Sequence, residues 1–236
     1  MRYCAKVLIA VLALVVGQAS AGPIEDGVAA YDRQDFAAAL RLFMPLANDG
    51  DSFAQLRLGI MYYFGQGVPT DYQQAALWYR KAADQGDAIA QAQLGAMYFN
   101  GHGVPKSEVQ AANWRRKAAD QGFAHAQLAL GAMYADGKGV PKDDQQAAFW
   151  FRKAADQGDA NGQFGIGIMY AIGQGVPKDD QQAALWYRKA AEQGQAGAQL
   201  NLGLVYSRGQ GVPKDEQQAL AWYRKAADQG ECDRPI

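Results

Sequence analysis

From residue 75 the apolar side chains Ala75, Trp78, Tyr79, Ala82 and Ala83 fall at i, i+3, i+4, i+7 and i+8, the stripe of an amphipathic helix. A second stripe, Ala90, Leu94, Met97 and Tyr98, follows beyond Gly86. The two patterns then alternate along the chain, which predicts helical hairpins built from an A helix and a B helix. Start and stop signals agree with this reading. Asp71, Ser107, Asp143, Asp179 and Asp215 each precede a glutamine by three residues, the pattern of a capping box at the start of helix B. Asp51, Asp87 and Asp159 stand where they can cap helix A, and Gly86 and its equivalents stand where a left-handed residue ends helix B.

The alternation has a fixed period. Gly67-Val68-Pro69 recurs at Gly103, Gly139, Gly175 and Gly211, in steps of 36 residues with no insertion or deletion. Trp78, Trp114, Trp150, Trp186 and Trp222 keep the same step, as do Gly50, Gly86, Gly122, Gly158, Gly194 and Gly230. Five units therefore fill residues 51–230, at 51–86, 87–122, 123–158, 159–194 and 195–230. A feature present once per unit belongs to the scaffold, because a catalytic centre needs one arrangement at one place. The recurrent glycine-rich loop is thus a turn between helices, where glycine accepts positive φ. A nucleotide loop would need a preceding strand and a following Ser or Thr, which are missing here. A glycine inside helix A, Gly59 and its copies Gly95, Gly131, Gly167 and Gly203, costs about 1 kcal/mol relative to alanine. Its recurrence predicts a close helix–helix approach.

Units such as "AQLGAMYFNGHGVPKSEVQAANWRRKAADQG" resemble Sel1-like repeats, the longer relatives of tetratricopeptide repeats, with Leu94, Gly95, Tyr98, Gly101, Gly103, Ala111, Trp114, Ala118 and Gly122 in place. The resemblance implies an all-α fold, a right-handed α-α superhelical solenoid of Sel1-like, tetratricopeptide-like hairpins. Residues 22–50 depart from the pattern. Tyr31, Phe36 and Ala39 suggest a tetratricopeptide-like helix pair with a shorter turn, an N-terminal cap. Residues 231–236 form a short tail, and helix B of the last unit is expected to keep one face poorly covered, a surface for weak self-association.

Residues 1–21 carry Arg2 and Lys6, an apolar run from Val7 to Val16 and then Ala19-Ser20-Ala21, which reads as a secretory signal peptide. The expected location is periplasmic or secreted, with no membrane insertion after cleavage. Loss of the leader leaves 21 basic against 24 acidic residues, a net charge of −3. Bulk attraction to nucleic acid is not expected. The Arg-Lys pair of each unit reads as a solvated face. Only Cys232 would remain after cleavage, so stability must come from packing and not from an internal disulfide.

Little chemistry is left for catalysis, and no cofactor or metal site is expected. His102 replaces Gln or Lys in one loop and reads as solvated; His125 has no companion at ligand spacing. Cysteine-rich relatives of the resembled family are associated with penicillin binding or β-lactamase activity. This chain lacks their paired cysteines, and none of Ser20, Ser52, Ser107 and Ser207 begins an S-x-x-K motif. The resemblance implies instead a groove lined by A helices that binds a protein or peptide. Carried onto this chain, its lining is Phe53, Leu56, Ile60, Tyr63, Phe64, Ile89 and Phe99 near one end, then His125, Leu128, Asp136, Asn161, Phe164, Ser207 and Arg208.

Overall fold

The computed structural model describes residues 22–232, and the signal-peptide reading of residues 1–21 lies outside them. Among the described residues there are twelve α-helices and no strand. A cap pair, α1 (Pro23–Asp32) and α2 (Phe36–Asn48), precedes five hairpins. Their A helices are α3 (Ser52–Phe64), α5 (Ala88–Asn100), α7 (Ala124–Asp136), α9 (Ala160–Ile172) and α11 (Ala196–Arg208). Their B helices are α4 (Tyr72–Asp84), α6 (Glu108–Asp120), α8 (Asp144–Asp156), α10 (Asp180–Glu192) and α12 (Glu216–Cys232). Helices adjacent in sequence make the principal contacts, so the molecule is an all-α helical repeat solenoid.

The boundaries follow from local chemistry, with two revisions. Asp71 accepts from the backbone N–H of Gln73 and Gln74 at 2.9 and 3.0 Å, and Asp143, Asp179 and Asp215 repeat this. The reciprocal half of the expected capping box is replaced. The N–H of Asp71 donates to the carbonyl of Tyr62, and those of Ser107, Asp143, Asp179 and Asp215 donate to Tyr98, Tyr134, Tyr170 and Tyr206. That N–H already has a partner across the hairpin, so the glutamine is not needed to satisfy it. Helix A starts on Asp51, Asp87 or Asp159, on Gln195 in the last unit, and on Phe123 without a side-chain cap in the third. Gly230 does not end its helix as the other closing glycines do; it lies inside α12, which runs 17 residues where the other B helices run 13.

The mid-helix glycines mark the close approach the sequence predicts. A Cβ on Gly131 would stand 2.8 Å from the Phe151 ring, and one on Gly167 would stand 2.8 Å from that of Tyr187. Gly59 and Gly203 face Tyr79 and Tyr223 in the same way. In the second hairpin the facing residue is Arg115, whose Cγ would lie 2.9 Å from a Cβ on Gly95.

Three kinds of contact join successive hairpins. Trp78, Trp114, Trp150 and Trp186 are buried in the apolar clusters, whereas Trp222 in the last hairpin is half-exposed. Buried Gln91 donates to the Ala83 carbonyl of the preceding hairpin at 3.1 Å and accepts from Gln121 at 2.8 Å; Gln55, Gln127, Gln163 and Gln199 do likewise. The Arg of the first two Arg-Lys pairs is less solvated than expected, half-buried at Arg80 and Arg116, whereas Arg152, Arg188 and Arg224 are exposed as the sequence predicts. Arg80 and Arg116 donate to the hydroxyls of Tyr98 and Tyr134 in the next hairpin, and Arg188 donates to Tyr206 at 2.6 Å. Lys81, Lys117 and Lys189 lie over the rings of Trp78, Trp114 and Trp186. A planar guanidinium can hydrogen-bond a tyrosine hydroxyl while its stem covers apolar surface, which turns a charged pair into part of the seam.

Candidate binding face

Each A helix buries most of its surface between its own B helix and the neighbouring hairpins. Each presents an accessible stripe at i, i+4, i+7 and i+11, the spacing of a single helical face. In α3 this stripe is Phe53, Arg57, Ile60 and Phe64; in α5 it is Ile89, Gln93, Ala96 and Asn100. In α7 it is His125, Ala129, Ala132 and Asp136; in α9, Asn161, Gly165, Ile168 and Ile172; in α11, Gly197, Asn201, Leu204 and Arg208. Its most exposed large apolar members are Phe64 at 65% and Ile172 at 60%.

The structure sorts the residues expected to line a groove into three groups. Phe53, Ile60, Phe64, Ile89, His125, Asp136, Asn161 and Arg208 lie on the stripe, with Phe53 and Ile60 half-buried. Leu56, Leu128 and Phe164 share a different register, turned toward the next hairpin. Leu56 is only 5% exposed within the apolar core, so it is removed from the lining. Phe164 packs on Tyr187 with ring centroids 6.0 Å apart and fills the space beside Gly197, so it too works mainly at the seam. Leu128 is half-buried. Tyr63, Phe99 and Ser207 share a third register, half-buried along one rim.

At that rim His102 departs from its expected solvated role. Its ring stacks on Tyr72 at 4.8 Å and 15°, and its Nδ1 is 3.1 Å from the Tyr63 hydroxyl. Tyr63 in turn meets Phe64 edge-on at 5.0 Å. The loop side chain therefore ties one hairpin to the previous one, as Gln66 does when it accepts from Tyr31 at 2.7 Å.

Several residues escaped the sequence reading, among them the stripe members Ile168, Ile172 and Leu204, together with two further sets. The i+4 members of the stripe, Arg57, Gln93, Ala129, Gly165 and Asn201, could have been found by counting one turn from Phe53 and its copies. The groove positions carried over from the family resemblance passed over them. The other is Arg115, which belongs to a B helix yet reaches the A-helix face; its signal is a cation where the other units have Tyr79, Phe151, Tyr187 and Tyr223.

Charge on this face is uneven. The Arg57 guanidinium lies between the rings of Tyr31 and Phe53, 5.4 and 4.8 Å from their centroids. Asp136 is engaged by Lys138 at 2.8 Å, a contact that raises the lysine above its usual pKa through the hydrogen bond first and the charge second. Burial lowers Arg115 below its ordinary value. Two clefts open on the face. One of about 230 Å³ lies between α9, α10 and α11, beside Tyr187, Asn201, Arg208 and Gln210. Burial raises the Tyr187 phenol there, opposed by its hydrogen bond with Asn201. The other, about 90 Å³, lies between α5 and α7 beside Ala92, Gln93, Ala96, Arg115, His125 and Ala129. No group of three or more His, Cys, Asp or Glu that could hold a metal occurs among the described residues.

Comparison with known proteins matches this architecture. The Sel1 repeat model fits residues 52–87, 88–123, 124–159, 160–195 and 196–231. The structure is similar to that of a protective antigen of uropathogenic Escherichia coli displaying an SLR fold, with a TM-score of 0.85 and 38% identity over 89% of this chain and 46% of that one. The chain thus spans slightly less than half of that antigen. It is also similar to a Sel1 repeat protein from Oxalobacter formigenes, with a TM-score of 0.83 and 37% identity over 89% of this chain and 84% of that one. An immunity protein from Pseudomonas aeruginosa shares the fold at a TM-score of 0.57 and 21% identity, over 89% and 84% of the two chains. No curated protein matches the sequence.

Proposed function

The chain belongs to the Sel1 repeat family, and from that premise we propose that it is a non-enzymatic, exported scaffold that holds a segment of a partner protein in the groove formed by its A helices. Sel1 repeats are scaffolds suited to protein–protein interaction and are generally non-catalytic. The carrying observation is the contrast between constant and variable positions. Tryptophans, the caps of helix B, turn glycines and seam glutamines repeat from unit to unit, while the stripe runs from Phe53, Arg57, Ile60 and Phe64 to Gly197, Asn201, Leu204 and Arg208. A constant frame carrying a changing lining can match an irregular partner, with apolar anchors such as Phe64 and Ile172 and polar groups that fix register.

The leader-like residues 1–21 support action in the periplasm or outside the cell, in envelope assembly, regulation or host contact. The similar E. coli protein's description as a protective antigen is in keeping with that location. For the alternative, β-lactam turnover, no nucleophile stands out: Ser107 is occupied as the N-cap of α6, accepting from Gln110 N–H at 3.3 Å.

Site-specific photocrosslinking in envelope extract tests the groove. A benzophenone side chain at position 64, on the A-helix face, is expected to yield a discrete adduct that the same group at position 185, on the outward side of α10 and 44% exposed as leucine, does not. Equal labelling from both positions, or labelling from position 185 alone, would move the binding surface elsewhere.

A further inference from the structure

The register of the repeats makes Arg115 an exception. Position for position it corresponds to Tyr79, Phe151, Tyr187 and Tyr223, rings that lie against the mid-helix glycine of their own hairpin. Replacing a ring there leaves the arginine stem against the glycine, its Cγ 2.9 Å from where a Cβ would stand, and carries a half-buried guanidinium beyond it, at an energetic cost that the frame itself does not require. Arg115 is in none of the ion pairs among the described residues. Its neighbours are the Met133 sulfur, 3.3 Å from one terminal nitrogen, and the Phe99 ring, 4.8 Å from the guanidinium carbon. A thioether and a ring face leave the forked donors without a carboxylate.

The surroundings keep this cation reachable. In the fourth hairpin the corresponding Tyr187 is met by Asn201 from the next A helix, and over Tyr79 of the first hairpin the residue in that register is Gln93 of α5. Over Arg115 that register holds only Ala129, and the space left is the cleft of about 90 Å³ between α5 and α7. Its walls are the small side chains Ala92, Ala96, Ala126 and Ala129 and the half-buried ring of Phe123, with Gln93 and His125 exposed at the mouth. A poorly hydrated guanidinium at the base, apolar walls and polar groups at the rim suit a single planar anion. Nearby, Asp136 is already engaged by Lys138 and does not fill this role.

We propose that the cleft at Arg115 is a carboxylate-binding subsite of the A-helix groove, accepting an acidic side chain or the terminal carboxylate of a bound peptide. This rests on the groove reading and deepens it: Arg115 would set where along the groove an acidic partner docks. An adjacent apolar wall would favour a carboxylate flanked by small residues.

The full chain can be titrated with acetyl-Ala-Ala-Glu-Ala-Ala-amide, acetyl-pentaalanine with a free carboxylate, and acetyl-Ala-Ala-Gln-Ala-Ala-amide, following the ¹⁵N resonances of Arg115 Nε, the Gln93 side chain and Ala129. The carboxylate peptides are expected to shift these signals and the glutamine peptide to bind about tenfold more weakly. Response to the first peptide alone assigns a side-chain anion, and response to the second alone a chain terminus. Arg115→Phe restores the ring found at position 151, so the variant is expected to fold and lose the preference. An equal response to all three peptides would remove the subsite while leaving the groove intact. Silence at Arg115, or a preference that survives in Arg115→Phe, would overturn the inference; failure of the groove itself is read separately from the crosslinking at position 64.

Discussion

At the scale of single residues, the buried tryptophans show how a polar handle can be carried without a partner. The indole nitrogens of Trp78, Trp150 and Trp186 are buried with no hydrogen-bond acceptor. The ring is there for its volume, so Trp150→Phe, which loses no hydrogen bond, should cost only about 1–2 kcal/mol, whereas Trp150→Ala should cost about 3–5 kcal/mol. Urea unfolding of the two variants measures both; equal losses would mean that the N–H contributes something the packing does not. Tyr79 gives a pH-dependent counterpart. Burial raises its phenol far above the ordinary 10.0, so the folded protein keeps it neutral while the unfolded chain ionises from about pH 10. The stability tied to this group is complete below that pH and is lost as the pH climbs toward the folded value. Melting temperatures between pH 9 and 11 should therefore fall more steeply for the wild type than for Tyr79→Phe.

Among the elements, the loops and helices depend on glycine for different reasons, and substitution can separate them. Gly122 has φ +89 and open space where a Cβ would go. Gly139 has φ +70, and a Cβ there would overlap the Glu108 carbonyl of the preceding hairpin. Gly122→Ala should thus cost about 1–2 kcal/mol from backbone strain alone, and Gly139→Ala about 1–3 kcal/mol more from the clash. Thermal denaturation of the pair checks the order. Helix types, turns and the glycine contact were legible because each rests on local chemistry repeated five times. The glutamine seam was not: Gln91 looks like any polar helix residue until the neighbouring hairpin brings the Ala83 carbonyl to it. Leu56 was misplaced for the same reason, since an apolar A-helix residue can serve the face or the seam and only the adjacent hairpin decides which. Arg115 was visible as a break in register but was masked by the Arg-Lys pairs beside it.

For the whole molecule, the fact that each hairpin packs chiefly on its sequence neighbours makes stability a sum of unit and interface contributions. Excising residues 123–158 joins Gly122 to Asp159 in register, preserving the seam glutamines on both sides. The shortened chain should remain helical by circular dichroism and unfold at lower urea with a smaller denaturant slope, in proportion to the surface removed. Aggregation or loss of helix would show that the units are less interchangeable than their spacing implies. The two ends of the array are unequal. Leu200 occupies the register that buries Leu56 in the first hairpin, yet it is 49% exposed, and Leu220 beside Trp222 is 50% exposed. With fewer neighbours to hold them, the amides of α11 and α12 should take up deuterium first, and exchange should then progress toward α3 as fraying advances from one margin.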